Sequence, residues 1–337
     1  MTRFAYRRGI ALLSVLLLVA AMAVLAVAVL DDMRFSRARG AAVAATEQAR
    51  WYGLGAEALA RVRIAQLQRR DRNRTTLEGD WHGQPFTFPI DFGLISVRVV
   101  DGGNCFNLNA LARPPAESDD GEDGPAPTII RDAVSVAQLR ALARDLGVHR
   151  ADIDRLIDLA IDWIDPDQRP EPLGGEDEIY RRADPPRRTG DALFAEVSEL
   201  RGLPGLAPET YSLLRPFLCA LPTRDRAPIN INTLGQEQAS LLVMLLEGRL
   251  RTEAARAALA RRPASGFESL VAFWDEPLLA AAGPSTEARA QAQLTTRYFA
   301  FDGEVAYREA RARFSGLIEA RTGDRPRVIA RRWTADE

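Results

Sequence analysis

Residues 7–32 read RRGIALLSVLLLVAAMAVLAVAVLDD, and this stretch decides the architecture. From Ile10 to Leu30 there is no charged residue, and at about 1.5 Å of rise per residue the run spans roughly the 30 Å hydrocarbon core of a bilayer. Arg3, Arg7 and Arg8 precede it, and Asp31 and Asp32 follow. That bias predicts a single pass through the membrane, with the N-terminus cytoplasmic and the bulk of the chain periplasmic. Three fates fit the hydropathy alone: a signal peptide cut near Ala26-Val27-Ala28, an uncleaved anchor, or cleavage before the run at Gly9.

The sequence downstream separates them. Asp31 to about Arg70 lacks proline and is rich in Ala, Arg, Leu and Gln, and Trp51, Leu54, Ala58, Val62 and Ala65 recur at helical spacing. The membrane helix therefore continues. Some 60 residues of helix measure roughly 90 Å, longer than a soluble domain needs and suited to lateral packing.

With Arg7-Arg8-Gly9 running directly into Ile10-Ala11-Leu12-Leu13-Ser14, the N-terminus resembles the type IV pilin and pseudopilin class. The resemblance implies that a prepilin peptidase cuts after Gly9 and methylates Ile10. Ser14 stands at the mature fifth position, where most of the class carries Glu to meet the ammonium group of the subunit ahead. A lone carboxylate in an apolar bundle is costly, so its replacement suits a subunit with nothing ahead of it. The alternative is that Ser14 is simply a tolerated small polar residue.

Beyond the stalk, Phe86-Thr87-Phe88 and Leu94 to Val100, followed by Asp101-Gly102-Gly103 and Cys105 to Asn109, read as a β-hairpin with a Gly-rich turn. Arg297 to Val305, Ala310 to Glu319 and Arg327 to Arg332 read as further strands, with turns at Asp302-Gly303 and Thr322-Gly323-Asp324. Between them an acidic, Pro-rich stretch to Pro127 reads as a solvated loop, and helical spacing then dominates. Helices are predicted over Val136 to Leu146, Ile153 to Ile164, Phe194 to Arg201, Pro208 to Leu218, Gln236 to Leu246, Thr252 to Ala260 and Glu268 to Phe273. Starts are expected at Ala151 or Asp152 and at Thr233 or Leu234. The predicted fold is α+β: a pilin-like long N-terminal helix packed on an antiparallel β-sheet, with a large inserted α-helical domain. Its parts are a leader (1–9), the transmembrane half of the helix (10–30), the pilin-like helix and first strands (31–112), the insertion (113–290) and C-terminal strands (291–337).

Over this middle region the chain resembles the K minor pseudopilin family of type II secretion, general secretion pathway protein K. The resemblance lies in Gln48 to Tyr52, Phe106-Asn107-Leu108-Asn109, Asp162-Trp163-Ile164-Asp165, Gly175-Glu176-Asp177 with Tyr180, Pro185-Pro186, Ser198 to Arg201, and Asn230-Ile231-Asn232-Thr233. Arg187 and Asp191 depart from the family pattern, where an aromatic and Asn are usual. The resemblance implies a subunit at the tip of the pseudopilus, with the I and J minor pseudopilins as partners and no enzymatic activity. It also implies structural calcium. Asp162, Asp165, Asp167, Glu176, Asp177 and Glu178 crowd one short segment, and hard cations take several oxygens from such loops. The expected ligands are Asp165, Asp167, Glu176 and Asp177. The competing reading is a solvated acidic loop neutralised by Arg169, Arg181 and Arg182.

Composition narrows the remaining classes. Every one of the 44 positive charges is Arg, yet the formal net charge is −2, which disfavours a general polyanion binder. Leu203-Pro204-Gly205-Leu206 is similar to a helix-hairpin-helix turn, so a membrane-tethered DNA-binding protein is the alternative function. Glu199 and Glu209 flank that turn and no basic cluster follows, so no nucleic-acid partner is expected. His82 and His149 are the only histidines, far apart, and no P-loop or nucleophile elbow is present. A carboxylate-only hydrolase would need flanking sugar-binding aromatics, and Trp163 and Tyr180 read as core. Cys105 and Cys219 cannot make a four-thiolate site. A periplasmic location favours a Cys105–Cys219 disulfide over two buried thiols.

Overall fold

A computed structural model describes residues 3–114, 129–321 and 323–334, with side chains from residue 11 onward. Helix α1 (Arg3–Arg70) runs unbroken for 68 residues. It is the one helix among the described residues long and apolar enough to cross a membrane. Its last third packs on a five-stranded antiparallel sheet made of β1 (Phe86–Ile90), β2 (Gly93–Asp101), β3 (Tyr298–Tyr307), β4 (Ala310–Glu319) and β5 (Arg327–Arg332), in that spatial order.

The helix meets the sheet through small residues. Ala49, Ala56, Ala60 and Ile64 are buried against Val97, Val99, Phe299, Phe301, Val305 and Phe314. Gly53 sits under the Trp333 ring, where a Cβ would come within 2.9 Å. The apolar set that the spacing picked out lies on other faces. Trp51 is 67% exposed and Val62 51%, while Leu54 and Ala65 are half-buried. Alanine and glycine let the helix axis approach the sheet closely, so the bulkier apolar residues are left facing outward.

Two turns fall elsewhere than expected. The first hairpin reverses at Asp91-Phe92, and the chain leaves the sheet at Gly102-Gly103 instead of turning back into it. Asp302-Gly303 lies inside β3, paired with both neighbours, and the reversal comes at Arg308-Glu309. Gly303 serves packing instead: a Cβ there would stand 2.5 Å from the Phe314 ring. Asp324 N–H donates to the Arg321 carbonyl at 3.0 Å with Gly323 at φ +93°, closing the turn before β5. Thr322 lies outside the described residues, as does the acidic stretch 115–128.

The insertion has its own core, which begins earlier than Arg113: Phe106, Leu108 and Leu111 are already part of it. Its framework is α2 (Ala133–Asp145), α3 (Arg150–Ile164), α4 (Asp177–Arg181), α5 (Pro208–Leu214), α6 (Ala239–Leu245), α7 (Thr252–Ala260), α8 (Leu270–Trp274), α9 (Pro277–Ala281) and α10 (Thr286–Gln291). The segment expected as a helix from Phe194 is only a 3-10 stretch, Val197–Gly202. The helix from Pro208 stops at Leu214 because Pro216 has no N–H to continue it. Leu218-Cys219 then pairs in parallel with Phe106-Asn107. Helix α3 starts at Arg150 with His149 as cap, one to two residues earlier than expected. Gly235, not Thr233 or Leu234, opens the turn leading into α6.

Thr233 is occupied at the joint between the two bodies. Its hydroxyl donates to Asp101 at 2.6 Å, and Thr296 also donates to that carboxylate. Asn230 and Asn104 exchange hydrogen bonds of 2.8 and 3.3 Å, and Asn230 also donates to the Thr75 carbonyl at 3.0 Å. The network joins the top of α1, the end of β2, the insertion and the return strand. Cys105 and Cys219, with Cα atoms 5.7 Å apart, are disulfide-bonded beside it.

Candidate metal centre

Helix α3 sets up the acidic site. Asp158 and Asp162 lie one turn apart, on the same face. Both use their carboxylates to hold the following loop: Asp162 accepts from Glu171 N–H at 2.9 Å and Gly175 N–H at 2.6 Å, and Asp158 from Leu173 N–H at 2.9 Å. Gly174 is required, since a Cβ would come within 1.9 Å of Asp162 Oδ2. Trp163 is half-buried, stacked on Phe194 and edge-on to Tyr180, and so holds the 180–194 segment against α3.

The loop folds back so that Asp165 at the end of α3, Asp167 beyond it and Glu176 ahead of α4 each bring one carboxylate oxygen within 4.8 Å of the others. Two oxygens on opposite sides of a calcium ion, at about 2.4 Å each, stand about 4.8 Å apart, so the spacing of the three is compatible with a shared ion. Asp165 and Glu176 are buried and Asp167 is exposed, which leaves one side open to solvent. Among the described residues, no donor reaches the enclosed Asp165 Oδ1 or either oxygen of Glu176.

Among the described residues no ion pair reaches Asp165, Asp167 or Glu176, and the cation that feels the charge of Asp165 is Arg224. Burial, then the charges of Asp162, Asp165, Asp191 and Asp167, push Glu176 up to about 8. Burial, then Asp167 and Asp162, raise Asp165 to about 6. Burial also raises Asp162 to about 6, against the lowering by its backbone donors. An orphaned buried carboxylate beside two more fits a divalent cation with oxygen ligands.

Asp177, the fourth expected ligand, is not in this group. As the first residue of α4 it points the other way, accepting from the Thr189 N–H and hydroxyl at 3.2 Å each and pairing with Arg181 at 2.8 Å. Those donors hold its carboxyl below the usual range although burial opposes them. Of the counterions considered, Arg181 pairs with Asp177 and Arg182 with Glu178, and neither takes part in the cradle. Two contributors beyond the expected set are Asp162, which shapes the loop, and Asp191, held at φ +44° with its carboxylate accepting from Thr189 at 2.9 Å. The spacing of Asp158 and Asp162 carries the first signal; nothing local in the sequence carries the second.

The Leu203-Pro204-Gly205-Leu206 turn has Gly205 at φ +77°, with the Arg155 guanidinium 3.0 Å from where a Cβ would lie. Leu203 is in the core, so the turn packs α3 against the segment leading to α5. Gly9 and Ile10 lie within the continuous backbone of α1.

A membrane-length helix continuing into an antiparallel α+β head, with a helical domain inserted between strands, defines a minor pseudopilin. Models of the family described as type II secretion system (T2SS), protein K, match residues 104–223 and 229–297. The type II secretion system protein K of Aeromonas hydrophila is 34% identical over 269 residues, 80% of either chain. That of Klebsiella pneumoniae is 32% identical over 335 residues, 98% of this chain and 99% of the relative. Among solved structures, the GspK-GspI-GspJ complex from the enterotoxigenic Escherichia coli type 2 secretion system contains a chain that matches with TM-score 0.71 and 30% identity, covering 86% of this chain and 96% of that one. The chain belongs to the type II secretion system protein K family, a structural pseudopilin component.

Proposed function

We propose that the chain caps the pseudopilus, assembling with the I- and J-type minor pseudopilins to start a fibre that helps export folded proteins across the outer membrane. The observation that carries this is the outward face of α1. Trp51, Gly55, Ala58 and Val62 form a stripe turned away from the sheet, continuous with the wholly exposed Asp31 to Ala44 and with the apolar run below. An exposed stripe of this kind marks a surface for another chain, and a parallel helix of a neighbouring subunit would cover its length. The I and J partners are suggested by the related chain's complex. The bulk of the insertion, which would obstruct repetition along a fibre, supports one copy at the tip.

In this reading the chain sits in the inner membrane by one pass, a prepilin peptidase cuts after Gly9, and Ile10 becomes the methylated N-terminus. Mass spectrometry of the mature protein tests it: a methylated Ile10 is expected, and a start near Val29 would remove the membrane-spanning half of α1 and overturn the pseudopilin processing and the anchored assembly that depends on it. Gly9→Ala is expected to abolish the processed band on a gel.

Calcium belongs to the same proposal. Asp165, Asp167 and Glu176 would hold it, and its charge would neutralise the cradle and fix the loop between α3 and α4. Chelation is expected to lower the melting temperature of the purified protein, and added calcium to restore it; identical melting curves would remove the metal from the proposal.

A further inference from the structure

The two hairpins nearest the membrane end of the sheet carry residues that their backbone does not favour. Phe92, between β1 and β2, has φ +62°, and Arg308, between β3 and β4, has φ +53°. Both lie in the left-handed region, which glycine enters freely and a bulky residue does not. The tips are joined, since Arg308 N–H donates to the Phe92 carbonyl at 2.9 Å. The Arg308 guanidinium lies 5.0 Å from the centre of the Phe92 ring and 5.4 Å from that of Tyr307. Phe92 is nevertheless 71% exposed, and Leu94 beside it 44%.

Arg308 also differs from its neighbours in charge pairing. Every arginine on the five strands has a carboxylate: Arg98 pairs with Asp302, Arg311 and Arg313 with Glu304, Arg327 with Glu319, Arg331 with Glu57, and Arg332 with Glu196. Among the described residues no carboxylate pairs with Arg308, whose partners are the two rings. An exposed aromatic braced by an unneutralised cation is a common composition for the centre of a protein interface.

The position of the tips says what they meet. The Tyr307 ring packs at a tilt on Tyr52, centroids 5.6 Å apart, so the tips stand at the level where the sheet ends and the uncovered part of α1 begins. Below them, Asp31 to Ala44 are exposed on every side, about 21 Å of bare helix between head and bilayer. Whatever packs on that length abuts the two tips.

We infer that Phe92 and Arg308 form the contact by which this head rests on the head of a neighbouring pilin-like subunit set nearer the membrane, one that offers an apolar notch bordered by a carboxylate. The inference rests on the assembly reading above and is continuous with the stalk face proposed there. A left-handed backbone at both positions leaves the ring and the guanidinium exposed together at the rim of the sheet, where a glycine would present nothing.

The test uses the full-length chain in cells that also produce the other pseudopilins. Benzoylphenylalanine in place of Phe92 is expected to crosslink on irradiation to a different pilin-like subunit, identified by mass spectrometry. Adducts only with lipid, adducts with a second copy of this chain, or no adduct, while the same probe at Trp51 captures a pilin-like subunit, would overturn the contact and leave the assembly reading standing. Absence of subunit adducts at both positions would overturn both. The double variant Phe92→Gly/Arg308→Gly suits the backbone, so its melting temperature is expected to match or exceed that of the unaltered protein. Its co-purification with the neighbouring subunit is expected to fall about tenfold, and an unchanged yield would reject the contact.

Discussion

Both oxygens of Glu176 are enclosed and accept no hydrogen bond from the described residues, so the ionised side chain costs free energy that a bound cation would offset. The folded-state values of Glu176, about 8, and of Asp162 and Asp165, about 6, lie above their ordinary 4.5 and 3.8. Their contribution to stability is therefore fully present below about pH 4 and is lost as pH rises through 6 and then 8. In a chelator the melting temperature is expected to fall over that range. In excess calcium the trend should flatten or reverse, because the ligands must lose their protons to bind. Glu176→Gln should stabilise the chelated protein by roughly 1–3 kcal/mol near pH 8 and weaken the response to calcium, a crossover read by calorimetry with and without the ion. The density of acids pointed to the segment in which the carboxylates of Asp165, Asp167 and Glu176 come together. Asp177, adjacent in the chain to Glu176, does not share its direction, because the first residue of a helix turns its side chain toward whatever donors lie beside that turn. Here these are Thr189 and Arg181, twelve and four residues away.

At the level of elements, alternation and helical spacing located all five strands of the main sheet and most of the longer helices, but not the turns between strands. Glycine is ambiguous in this respect. Gly303 looks like a turn residue beside Asp302, yet it is flat against Phe314, and that reason exists only once β4 is alongside. Gly303→Ala is accordingly expected to cost about 1–3 kcal/mol in chemical denaturation, far more than an alanine at an exposed turn. The chain reverses instead at Asp91-Phe92, where the adjacent Gly93 belongs to β2 and not to the turn pair, and at Arg308-Glu309, where no glycine stands beside the turn. Helices α4, α9 and α10, of five to six residues, are too short to express a period at all. The face of α1 that meets the sheet was hidden for the opposite reason: alanines carry little hydropathy signal, while Trp51 and Val62 carry much and face outward.

The whole molecule depends on how the insertion is tied to the pilin-like head. Cys105 and Cys219 close a loop with a sequence separation of 114, and Asp101, Asn104, Asn230, Thr233 and Thr296 form a buried network beside the bridge. Because a long closed loop restricts the unfolded chain most, replacing both cysteines by serine is expected to lower stability by about 3–5 kcal/mol, measured by denaturant titration. An unchanged midpoint would mean that the network alone holds the neck.

Helix α1 is one unbroken rod of 68 residues, about 100 Å from end to end, and its upper end is held by the bonds that converge on Thr75. Among the described residues no proline interrupts it. An axial load at its foot would therefore be carried to the crown by one continuous backbone, with no proline break along the shaft to deflect it.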